Sequence, residues 1–183
     1  MFVAQPYEND NSPQNQKAPA KKASTTTTVL HQEQRLRSHL QYYANRGRQY
    51  HSKGAIKLAS QAFSECIRIS KQLLLSPNYS SDELSGIELL FMASHNMAAC
   101  CNQLRSASLG EKILRELYAI VVELCETEHY PRELRLDALA VLDKSLFSLA
   151  SQMAYMGKLA SIRQLIDGTE SFAERISKEM GAA

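Results

Sequence analysis

The sequence predicts an all-α fold of six long helices paired as three antiparallel hairpins. Three observations point there: apolar residues recur at spacings of three and four along the chain after residue 28, no segment sustains the alternation of a half-buried strand, and breakers are scarce, with 7 Gly and 5 Pro in 183 residues. Apolar residues make up 44% and charged residues 22%, and the length suits one domain with a real core rather than two. Helices of about 20 residues with short connections must pack antiparallel, which gives the hairpins.

Residues 1–28 are rich in Pro, Asn, Gln, Lys, Ser and Thr and offer little apolar surface against the entropy of ordering them, so they are expected to form a disordered polar tail ahead of a helical domain at 29–180. The first helix is expected from about Val29 to Lys53, with Leu36, Leu40, Tyr43, Gly47 and Tyr50 on one stripe. The second runs from about Ala55 to Leu75 and stops before Ser76-Pro77-Asn78. In the third, about Ser81 to Leu104, Ser80 and Glu83 have the spacing of a capping box, and Leu84, Ile87, Phe91, Ser94, Ala98 and Cys101 mark the buried side. A fourth follows from about Ser108 to Thr127. Pro131 fits the first turn of a fifth, reaching about Met156, because its missing N–H costs nothing there. Gly157 breaks the pattern before a sixth, about Lys158 to Glu179, with Ile162, Leu165, Ile166, Thr169, Phe172, Ala173 and Ile176 on one face.

Charge and chemistry narrow the function. The net charge of +2 is too small to mark a nucleic-acid binder in bulk, but it is uneven: Arg35, Arg37, Arg46, Arg48, Lys53 and Lys57 meet no acid between Gln34 and Ser64, whereas Ser76 to Leu104 holds only Asp82, Glu83 and Glu88. The start, MFVAQPYEND, lacks the pattern of a secretory signal, and no apolar run nears the length of a membrane span, so a soluble cytoplasmic protein with no membrane contact is expected. Cys66, Cys100, Cys101 and Cys125 sit in helical patterns without metal-ligand spacing and read as reduced core thiols. His31, His39, His51, His95 and His129 are scattered, and no Gly-rich phosphate loop or nucleophile motif is present. No metal, no cofactor and no catalytic residue are assigned, and the chain reads as not an enzyme.

Gly47, Tyr50, Gly54, Ala59, Phe63 and Cys66 fall as G-x2-Y-x3-G-x4-A-x3-F-x2-C, and weaker echoes begin at Ala98 and Ala150, at steps of 51 and 52 residues. The first unit resembles the tetratricopeptide repeat, whose alternating small and large residues let two antiparallel helices approach closely. That resemblance implies an α-solenoid, a right-handed stack of about three TPR-like hairpins. The family repeat is near 34 residues, so the longer step implies lengthened helices.

In that family the first helix of each hairpin lines a concave groove that holds a partner. The resemblance therefore places Arg37, Gln41, Ala44, Arg48 and His51 of the first helix in the groove. It adds Met92, His95, Asn96, Ala99 and Asn102 from the third, and Lys144, Phe147, Ser148 and Ser151 from the fifth. One branch of the family grips a terminal carboxylate with five residues. Asn96 and Lys144 match, but Ala44, Arg48 and Ser148 depart from the pattern, so that branch's function is not assigned. The implied role is an adaptor or chaperone-like module that binds a protein or peptide, acidic or bearing a free C-terminal carboxylate, through Arg37, Gln41, Arg48, Met92, His95, Asn96, Asn102, Lys144 and Phe147. Nucleic acid on the basic first helix ranks below it, as does a self-associating scaffold.

Overall fold

The computed structural model describes residues 20–74 and 86–181, with side chains from residue 31 onward. Six helices account for them: α1 (Ala20–Ser52), α2 (Ile56–Leu74), α3 (Gly86–Gln103), α4 (Ala107–Glu126), α5 (Arg132–Tyr155) and α6 (Leu159–Met180). No strand occurs among the described residues. Helix α1 starts at Ala20 rather than about Val29, so it takes in residues that the composition assigned to the tail. Residues 1–19 of that tail, the Ser80–Glu83 capping box and Leu84 lie outside the described residues.

The turns within the three hairpins share one chemistry. After α1, Gly54 N–H donates to His51 and Ala55 N–H donates to Tyr50; after α3, Arg105 N–H donates to Asn102 and Ser106 N–H to Cys101; after α5, Gly157 N–H donates to Ala154 and Lys158 N–H to Met153. This is the paired bonding of a Schellman cap, which satisfies carbonyls left open at a helix end and demands a left-handed residue. Gly54 (φ 72°), Arg105 (φ 58°) and Gly157 (φ 75°) supply it, 51 and then 52 residues apart. Two of the three are glycine, which has no β-carbon to clash there.

Packing follows from small residues facing large ones. Gly47 of α1 lies against the Phe63 ring of α2, and Ala59 is fully buried beside Phe63 and Cys100. The Cys66 thiol points at the Leu40 carbonyl, so α1 and α2 run antiparallel: 47 meets 63 and 40 meets 66. Leu74 touches Gly86 and Phe63 meets Cys100, which makes α2 and α3 antiparallel too. Helices α3 and α5 run parallel through Glu88–Lys144, His95–Ser148 and Asn102–Gln152. Tyr118–Thr169 and Glu126–Arg175 set α4 parallel to α6. The result is a layer of α1, α3 and α5 beside a layer of α2, α4 and α6.

The expected stripes face the core, with Leu36, Tyr43, Tyr50 and Phe91 only half-buried, and α3 buries residues beyond its stripe. Leu90, Ala93 and Cys100 are buried along with Ile87, Ser94, Ala98 and Cys101, because α2, α4 and α5 cover three sides of that helix. The face of α6 is only partly covered. Thr169 and Ile176 are buried, while Ile162, Leu165, Phe172 and Ala173 are half-buried on the edge of the main core.

Candidate functional site

Helices α1 and α3 both lean on α2 without filling the space between themselves, and a groove of about 530 Å³ opens there. Its floor is apolar: Leu40, Phe63, Cys66 and Ala93, all buried beneath it. Ala44 and Ala93 face the gap with side chains too short to close it. The α1 wall carries Arg37, Gln41, Asn45 and Arg48, and the α3 wall carries Leu89, Met92 and Asn96. Positions 37, 41, 44 and 48 fall within about 60° of one another at 100° per residue, so one flank of α1 faces the groove. From Arg37 to Arg48 that flank extends about 16 Å.

Among the described residues no Asp or Glu lines the groove. One carboxylate nevertheless stands close to a groove cation. Glu33 accepts from Arg37 at 3.1 Å, an i,i+4 pair on α1 with Glu33 largely buried. Arg48 has a different partner: its Nη2 donates to the Asn45 amide oxygen, which leaves the guanidinium's full charge facing outward. Arg46 lies on another flank, 4.9 Å from the Tyr50 ring centroid and 6.0 Å from that of Tyr42. Cation–π attraction holds it there. The tyrosines among the basic residues thus serve the chain's own arginine.

Of the residues expected to bind a partner, Arg37, Gln41, Arg48, Met92 and Asn96 line this groove. Three of the other four, His95, Asn102 and Lys144, lie along the α3–α5 seam. His95 Nδ1 is 3.1 Å from Ser148 Oγ, and its ring stacks on Phe91. Asn102 and Gln152 exchange two amide hydrogen bonds of 2.8 Å, and the same Gln152 nitrogen also donates to the Ala107 carbonyl. Lys144 stands 3.6 Å from Glu88. Phe147 is 74% exposed on the outer side of α5. The groove face of α3 is centred on Leu89, Met92, Ala93 and Asn96, rotated by about 90° from a face centred on His95 and Ala99. Leu89, Phe63 and Cys66 escape sequence reasoning because each reads as plain core. Asn45 was within reach, since it borders the Arg37–Arg48 flank.

Elsewhere the polar interior is structural. Glu111, buried on α4, accepts from Arg115 at 2.8 Å and from Lys158 at 2.6 Å, tying α4 to the turn between α5 and α6. The Lys158 hydrogen bond, reinforced by Arg115, holds the Glu111 carboxyl below its ordinary range. Burial pushes the Cys66 and Cys125 thiols up to about 11, which leaves both protonated and unreactive at neutral pH. Among the described residues no group of three His, Cys, Asp or Glu could hold a metal, and no helix is long and apolar enough to cross a membrane. Comparison with protein-family models, with curated proteins and with solved structures finds no match to this chain.

Proposed function

We propose that the chain is a protein-interaction module, adaptor or chaperone-like, which holds a peptide or protein segment in the α1–α3 groove. The observation that carries this reading is the groove itself: an apolar floor, a rim of amides and arginines, and no carboxylate among its described lining residues. Arg48 would take a carboxylate or C-terminus by charge-assisted bonds, Gln41, Asn45 and Asn96 would pair with backbone amides, and the adaptable Met92 would cover an apolar side chain. A span of about 16 Å accommodates roughly five extended residues.

A TPR-like solenoid is the fold proposed for it. The left-handed turn residues 51 and 52 apart support this. So do the contacts linking one hairpin to the next at nearly the same interval: His51–Gln103 (52), Asn102–Gln152 (50) and Tyr118–Thr169 (51). A cytoplasmic setting suits four buried free thiols.

The test is fluorescence anisotropy of the full chain against an array of labelled peptides that combine an aromatic residue with carboxylates. Arg48→Glu should weaken the best binders by at least about tenfold, the scale of one charge-assisted bond. Lys144→Glu, outside the groove, should leave them unchanged. Equal binding by wild type and Arg48→Glu would refute the assignment. A steep loss between low and moderate salt, together with binding of oligonucleotides, would favour the phosphate reading.

A further inference from the structure

We propose that the groove is occupied in cis by this chain's own segment Pro6–Asp10, PYEND, so that the module inhibits itself and partners must displace the segment. The inference rests on the groove reading above and names its resident ligand.

Chemistry singles this segment out. Glu8 and Asp10 are the only acidic residues before Glu33, and they flank the same few residues as Tyr7, with Phe2 and Val3 upstream. An aromatic ring beside two carboxylates is what an apolar floor under an arginine rim selects. Tyr7 would cover Phe63 and Met92, and the Glu8 carboxylate would meet Arg48, whose partner among the described residues is the neutral Asn45 amide. Five residues match the groove's length.

The tether also reaches. Arg37 and Arg48 lie 17 and 28 residues beyond Ala20, where α1 begins. At 1.5 Å per helical residue these are about 26 and 42 Å along the axis. Asp10 precedes Ala20 by ten residues and Pro6 by fourteen. At roughly 3.3 Å per extended residue their limits are about 33 and 46 Å. The segment can therefore lie across the whole groove, antiparallel to α1, and a tether this short raises its local concentration far above that of a free peptide.

The experiment uses the full chain carrying a photo-crosslinking benzophenone amino acid at Gln41, in a mixture of isotopically heavy and light protein. The sequence has no Lys or Arg before Lys17, so trypsin releases residues 1–17 as one peptide. The expected product joins that peptide to the Gln41 site with both halves of the same isotope. It should be lost in Glu8→Gln/Asp10→Asn, a change that removes both charges, adds no tryptic site and lies outside every described helix. The same variant should bind array peptides more tightly than wild type, because the competing segment no longer occupies the groove. Mixed-isotope products would show a second copy's segment in place of the chain's own and overturn the proposal. So would a cross-link that survives removal of the two charges, a cross-link to any other tryptic peptide, or unchanged affinity for array peptides. If array peptides bind in an Arg48-dependent way while no link to residues 1–17 forms, self-docking falls and the groove stands. If neither occurs, both fall.

Discussion

Gly47→Ala is the sharpest probe of how closely α1 and α2 approach. A β-carbon at Gly47 would stand 2.6 Å from Phe63 Cε1 and 2.9 Å from Cδ1 and Cζ. Carbon atoms at rest need about 3.5–4.0 Å, so the ring or the helix must move by roughly 1 Å. Phe63 is 3% exposed and wedged with Ala59 and Cys100, so its ring can yield only toward the groove above it. Overpacking of this kind costs about 1–3 kcal/mol. Alanine in place of a helical glycine returns about 0.8–1 kcal/mol. The net expectation is a loss of about 0–2 kcal/mol, which for a chain of this size lowers Tm by up to roughly 8 °C. Thermal unfolding followed by helix circular dichroism measures it. The decisive control is the same change in a Phe63→Leu background, where the ring is gone and Gly47→Ala should be neutral or stabilising. A double-mutant cycle then gives a coupling of about 1–3 kcal/mol. Should Gly47→Ala raise Tm in the wild type, as at an unhindered helical glycine, the close approach argued for the first hairpin is wrong.

Three further outcomes follow from the interior. Arg105→Gly should stabilise the fold by about 0.5–1 kcal/mol, because a left-handed non-glycine residue costs about 1–2 kcal/mol, partly offset by the freer unfolded chain; an unchanged urea midpoint would contradict a left-handed Arg105. Glu111→Gln should cost about 1–2 kcal/mol at pH 7, since both its cations are half-exposed. Its folded pKa is depressed, so the wild type holds this stability in full above the ordinary value of 4.5 and loses it as pH falls through the lower folded value, while Glu111→Gln should lack that acid limb in Tm against pH. Asn102→Ala should cost about 1–3 kcal/mol by leaving the buried Gln152 amide oxygen without its donor, and peptide binding at the groove should not change. If Asn102→Ala instead abolished binding with stability intact, Asn102 would belong to the binding surface.

What the sequence determined by itself is local. Apolar spacing of three and four is a property of a single helix, so the six helices, their stripes and their approximate ends were readable from Leu36, Leu40 and Tyr43 through Ile176. The small and large residues at Gly47, Ala59 and Phe63 and the 51–52 residue interval were readable for the same reason, being set by fixed offsets, whereas the packing of Gly47 on Phe63 was not. The Glu33–Arg37 pair was equally local, although a charge count beginning at Gln34 passes over it. Helix α1 starting at Ala20 was hidden, because a run of Lys, Ser and Thr carries no apolar stripe to announce a helix. Tertiary structure alone decided how each helix turns about its axis and which polar groups meet. Helix α3 is gripped by α2, α4 and α5 at once, and the compromise among them turns Leu89 and Ala93 toward α1. His95 and Asn102 are sent to Ser148 and Gln152 instead. Periodicity specifies which side of a helix is apolar to within a broad arc; when apolar residues cover most of the circumference, only the neighbours' packing selects the angle, and with it the side chains that line the groove.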